Sequence, residues 1–205
     1  RTPVRPSISL VTVGLIALAI GPASITAQTA WDAPPLISHV TPAGVSLFLV
    51  SPAGGDLGGL VTFRHEAGPV GMGYRLSLTD ENASDDLALA AGVDISGFLA
   101  RGVEDSPVDV MWWSGAGLGW GENTIISLPL GALVGWSGQG GDVVLSPYGG
   151  GHLVMDISDI EGDNVSLGGA FDFGLDVVLS SGWLVRFGGS VGDRDALAIG
   201  VKIDT

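Results

Sequence analysis

Hydrophobic and polar residues alternate along most of this chain. The clearest run is 164–179, where Val165, Leu167, Gly169, Phe171, Phe173, Leu175, Val177 and Leu179 hold the odd positions. Ser166, Gly168, Ala170, Asp172, Gly174, Asp176 and Val178 hold the even ones. Successive side chains of a β-strand point to opposite faces, so one face here is oily and the other small or acidic. The run is far longer than the ordinary strand of roughly five or six residues. A strand of that length and polarity suits the wall of a β-barrel in lipid.

The same alternation recurs. Over 123–136 the oily set is Ile126, Leu128, Leu130, Ala132, Val134 and Trp136. Over 86–100 it is Leu87, Leu89, Ala91, Val93, Ile95 and Leu99, and the last run offers Leu197, Ile199, Val201 and Ile203. The pattern predicts strands near 44–51, 58–66, 70–79, 86–100, 107–120, 123–136, 142–157, 164–179, 182–191 and 195–204. Turn-forming clusters separate them, among them Pro52-Ala-Gly-Gly-Asp56, Ser137-Gly-Gln-Gly-Gly141 and Ser180-Ser-Gly182. Short connections between neighbours imply antiparallel hairpins. Lipid leaves no backbone group unsatisfied, so the sheet must close on itself. The expected fold is all-β: a closed antiparallel up-and-down transmembrane barrel of about ten strands over 44–205. Eight is the alternative count if the first two strands form an edge hairpin, because Arg64 and Glu66 share a parity with Leu60 and Thr62.

Upstream, the pattern changes. Arg1 and Arg5 precede an apolar stretch from Ile8 to Ile20, then small residues through Ala27. That order is the signature of a secretory signal peptide, with cleavage expected after Ile25-Thr26-Ala27. The apolar stretch falls short of the roughly twenty residues that a helical span needs. Residues 28–43 carry Trp31, Pro34, Pro35 and Pro42, and proline resists sheet pairing. They read as a flexible periplasmic lead-in.

A signal peptide followed by Gly-rich amphipathic hairpins resembles the small bacterial outer-membrane β-barrels, the OmpA/OmpX-like and porin-like group. The resemblance implies an outer-membrane location, lipid as a partner, and delivery by the barrel-insertion machinery. Members of the group commonly end in an aromatic residue, whereas this sequence closes Lys202-Ile203-Asp204-Thr205. Trp120, Trp136 and Trp183 abut proposed turns, as expected of aromatics at a membrane–water interface.

Composition narrows the chemistry. The chain has 205 residues, 34 glycines and no cysteine, which excludes disulfides, thiol nucleophiles and cysteine-ligated metals. All 22 acidic residues lie at Asp32 or later, against six basic ones. Such a surface repels nucleic acid, which needs a basic patch. By parity the lumen receives Arg75, Asp94, Asp109, Met111, Trp113, Tyr148, His152, Asp156, Asp172, Asp176 and Arg186, among many glycines. Buried charges must be paired or hydrated. Arg75 and Arg186 are therefore expected to pair with Asp94, Asp172 and Asp176, with His152 and Tyr148 completing a network that largely fills a narrow lumen. A His152 pair with Asp172 or Asp176 is geometrically open. Ser146 shares the parity of His152 but lies six residues away, and no second signature of catalysis accompanies it.

The loops offer oxygen ligands at Asp156, Asp159, Glu161 and Asp163, and again at 80–86, suited to a divalent cation but not in EF-hand spacing. The bland alternative is a solvated acidic loop, so no metal or cofactor is expected. The expectation is a non-enzymatic outer-membrane barrel, structural or a narrow passive channel. Two alternatives stand beside it: a secreted or periplasmic soluble barrel around an apolar ligand, and an outer-membrane enzyme acting on lipid or peptide.

Overall fold

The computed structural model describes residues 31–52, 57–67, 70–81, 86–103, 107–121, 124–158 and 165–203. The signal-peptide region and Asp159, Glu161 and Asp163 lie outside them. Eleven strands follow one another: β1 (Gly44–Pro52), β2 (Gly58–Ala67), β3 (Val70–Glu81), β4 (Asp86–Ala100), β5 (Asp109–Trp120), β6 (Thr124–Gly135), β7 (Gly138–Gly140), β8 (Val143–Ser158), β9 (Val165–Leu179), β10 (Leu184–Gly192) and β11 (Ala196–Ile203).

Ten of them close a barrel. Each pairs antiparallel with its chain neighbour, β6 pairs with β8, and β1 pairs with β11. A closed ladder has no unpaired edge. The first hairpin is part of the wall, since β2 pairs β3 through nine residue positions from Gly59↔Leu78 to Ala67↔Val70. The count is therefore ten and not eight. β7 was unexpected. It falls in the glycine cluster read as a turn, and pairs with Val143–Leu145 to extend that hairpin, with Gly141 at φ 64 turning the corner.

Parity holds around the ring. Leu130, Leu153 and Phe171 point outward and are 59%, 58% and 57% exposed, while Asp172 and Asp176 point inward and are fully buried. The inner face is not uniformly polar. Phe48, Val50 and Leu60 also face inward and are buried. They pack with Ala198 around Leu36, and a second cluster of Met111, Trp113, Leu133 and Tyr148 gathers around Ile37.

Those two partners belong to the segment read as a lead-in. Residues 31–38 are all buried. From β1 the chain folds back along the lumen, so the expectation of an external lead-in is replaced by an internal plug. The physical reason is composition. Trp31, Leu36 and Ile37 would each lose roughly 1.5–3 kcal/mol of burial if left in water. The prolines that bar this stretch from a ladder do not bar it from the space inside one.

Candidate functional site

Two arginines on the wall hold the plug. Arg75 on β3 donates from Nε to Asp94 Oδ2 at 2.8 Å, from Nη1 to the Trp31 carbonyl at 3.0 Å, and from Nη2 to the Pro35 carbonyl. Arg186 on β10 donates from Nε to Asp176 Oδ1 at 2.5 Å and from Nη2 to Asp176 Oδ2 at 2.7 Å. Its Nη1 donates to the Leu36 carbonyl, and Nη2 also reaches Ser38 Oγ at 3.0 Å and Thr41 Oγ1 at 2.8 Å. Ser38 Oγ in turn donates to Asp176 at 2.5 Å. A guanidinium buried this deeply is tolerable only with such a full set of acceptors.

Between these two anchors Leu36 sits at φ 50, a left-handed conformation that costs a non-glycine residue about 1–2 kcal/mol. The twist sends Leu36 and Ile37 to opposite walls. The arginine bonds to Pro35 and Leu36 hold it in place. Glycines supply the room. A methyl group on Gly92 or Gly117 would overlap the Trp31 indole, and one on Gly174 would overlap the Tyr148 ring.

The chain matches no protein-family model and no curated protein sequence.

The remaining residues singled out from sequence lie elsewhere in the lumen, at the strand ends or on the outer face. Asp172 meets neither arginine. Its Oδ2 lies 2.7 Å from His152 Nδ1, and its Oδ1 accepts from Ser190 Oγ at 2.6 Å. The His152 ring leans on Trp113, with centroids 5.4 Å apart, and its Nε2 meets no hydrogen-bond partner. Ser146, the hydroxyl of matching parity, is bonded to Ser137 at 2.8 Å. Tyr148 is buried with its ring 5.9 Å from the Arg186 guanidinium, and its hydroxyl is unpartnered. Asp156 accepts from Ser127 Oγ at 2.7 Å and forms an ion pair with Arg194. Among the described residues no group of three or more acidic or histidine side chains is placed to hold a metal ion. Trp120, Trp136 and Trp183 are exposed.

Sequence reasoning missed Arg64, Arg194 and Asp32. Arg64 donates to Asp94 Oδ1 at 2.6 Å and to Ser96 Oγ. Its even parity in β2 was the available signal. Arg194, in the β10–β11 turn, approaches Asp32 of the plug at 3.4 Å. At the other end, His39 Nε2 lies 3.0 Å from Ser137 Oγ. Partial burial pulls the His39 pKa below its usual value, with Asp109 and Asp176 opposing the shift.

Proposed function

We propose that this chain is a non-enzymatic barrel of the bacterial outer membrane, closed by its own N-terminal segment and serving as a structural element. Conduction then requires the plug to leave. One observation carries the reading: the exposed outer face is apolar on strand after strand, while the charged groups of the wall are turned inward, with Arg75, Arg186 and Asp176 bonded to residues 31–41. Exposed examples run from Leu49 and Phe63 through Leu76, Val93, Leu130 and Leu153 to Phe173, Phe187 and Leu197. A soluble monomer rarely exposes apolar patches larger than a few hundred Å². Lipid removes that cost and demands the closed ladder.

The soluble reading needs an apolar interior with space for a ligand. Here Phe171 and Phe173 face outward, and the interior is taken by ion pairs and by Leu36 and Ile37. The enzymatic reading needs a nucleophile or a bound water beside His152, and among the described residues no hydroxyl is within hydrogen-bond reach of the buried Nε2.

Planar-bilayer recording tests the proposal. The intact barrel is expected to insert and remain silent, and deletion of residues 31–41 is expected to give discrete currents. A chain that stays monomeric and soluble in detergent-free buffer sinks the membrane assignment. Steady currents from the intact chain sink the plug.

A further inference from the structure

A cavity of about 380 Å³ opens where β1 begins, between the plug and the ends of β2, β4 and β5. Its position makes it a vestibule, closed inward by Ser38–Ala43. Its chemistry runs against that of the chain. With 22 acidic residues to eight basic ones overall, the lining among the described residues still contains Arg64, Arg101, His39 and His65 and no carboxylate. The nearest described carboxylates are engaged elsewhere. Asp94 is held by Arg64 and Arg75, and Asp109 accepts from the Gly102 backbone N–H at 2.8 Å.

Arg101 reaches this space through an irregularity of the wall. On β4, Phe98 pairs with Met111 but Ala100 pairs with Val110, so Leu99 is an extra residue and the strand bulges. A bulge re-aims the side chains beyond it. In unbroken parity Ala100 would face inward and Arg101 outward. The bulge instead lays the Arg101 guanidinium 4.0 Å from the centre of the Phe98 ring, on the vestibule side. Among the described residues Arg101 stacks on the Phe98 ring and makes no ion pair or hydrogen bond, which leaves its planar fork of donors facing the cavity. Phe98 and Met111 provide an apolar wall beside it.

We propose that the vestibule binds a small organic anion, with a carboxylate or phosphate head on Arg101 and an apolar body against Phe98 and Met111. The site does not depend on the membrane assignment, because it is built within the barrel mouth and needs only the folded chain. Met111 reports on it. The chain has three methionines, and only Met111 is buried at the vestibule, while Met72 and Met155 face outward.

The experiment is a titration of the full folded barrel carrying methyl-labelled methionine, in detergent micelles, followed by NMR. Phenyl phosphate is expected to shift the Met111 methyl signal saturably and leave the other two in place. Benzylammonium, of similar shape and opposite charge, is expected to leave all three unmoved. Losing the charge-assisted hydrogen bonds to its head group, Arg101→Gln is expected to weaken phenyl phosphate roughly tenfold or more. Inorganic phosphate is expected to bind at least as weakly as phenyl phosphate binds the variant. Equal shifts from benzylammonium, equal affinity in Arg101→Gln, or equal affinity for inorganic phosphate each overturns the proposal. Arg101 is exposed and outside the strand ladders, so its substitution leaves the fold intact. An unchanged methionine spectrum before titration verifies that directly.

Discussion

The two ends of the plug are held differently. At Leu36–Thr41, Arg186 uses all three guanidinium nitrogens, and Asp176 accepts from both Arg186 and Ser38. At Trp31–Asp32, the charged pair is Asp32 with Arg194 at 3.4 Å, and neither Asp32 oxygen nor Arg194 Nε makes a hydrogen bond. Asp32 is nonetheless fully buried. A buried ion pair stabilises only when its geometry and hydrogen bonds repay desolvation. The Arg186 end meets that condition and the Asp32 end does not. Of the two ion pairs that hold the plug, the one beside β1 is thus the strong one; at Trp31 the hold comes from the Arg75 bond to its carbonyl and from packing of the indole, with the Asp32 pair adding little.

The largest expected effect follows from breaking the strong end. Asp176→Ala leaves Arg186 buried without its carboxylate, which costs about 3–5 kcal/mol. The midpoint of urea unfolding in micelles measures it. Asp32→Asn removes a buried charge whose desolvation is poorly repaid and leaves Arg194 its pair with Asp156, so its effect is expected to stay within about 1 kcal/mol of wild type. Equal destabilisation by the two substitutions would erase the contrast. Leu36→Ala falls between them, at roughly 2–4 kcal/mol, because it opens a cavity among Phe48, Val50, Leu60 and Ala198. Gly117→Val sharpens the comparison from the other side. It pushes on the Trp31 indole without touching either arginine. The expected result is a red-shifted tryptophan emission and earlier protease cleavage near residue 31, with urea stability lowered by only about 1–3 kcal/mol.

The wall was legible in the sequence and the plug was not, for one physical reason. Period-two alternation reports which face a strand residue occupies, and 164–179 obeys it over its whole length. The same parity placed Arg75, Asp94, Asp176 and Arg186 on one face. It carries no register, so it could not tell that Asp172 stands opposite Ser190 and Gly150, with His152 rather than an arginine in reach. Residues 31–43 have no periodicity at all, and their prolines read equally well as a tether in water. The overlooked signal was a mismatch between them and the wall. Gly92, Gly115 and Gly117 all face inward on β4 and β5, and a cluster of missing side chains needs something bulky to fill it. Trp31 was the large residue without an assigned neighbour.

The smallest effect concerns the anchored end and pH. His39 sits where the plug leaves the lumen, against Gly135 and Ser137, facing Asp109, Asp176 and Arg186. Burial lowers its pKa below that of an ordinary histidine. The folded state therefore holds the proton less readily than the unfolded one. The stability that His39 contributes is fully present above about pH 6.5 and is lost as pH falls through its lowered folded value. Over pH 7.5 to 5 the unfolding midpoint in urea should drift downward, and His39→Gln should flatten that drift while leaving the midpoint at pH 7.5 nearly unchanged. Ordinary carboxylates titrate mostly below this window, near pH 4. Burial pushes the Asp32 carboxyl above the usual carboxylate range, so the folded state holds that proton more readily, and Asp32→Asn should leave the downward drift in place or steepen it. If it abolishes the drift instead, the pH-sensitive contact lies at the loose tip, and the two ends of the plug must exchange roles.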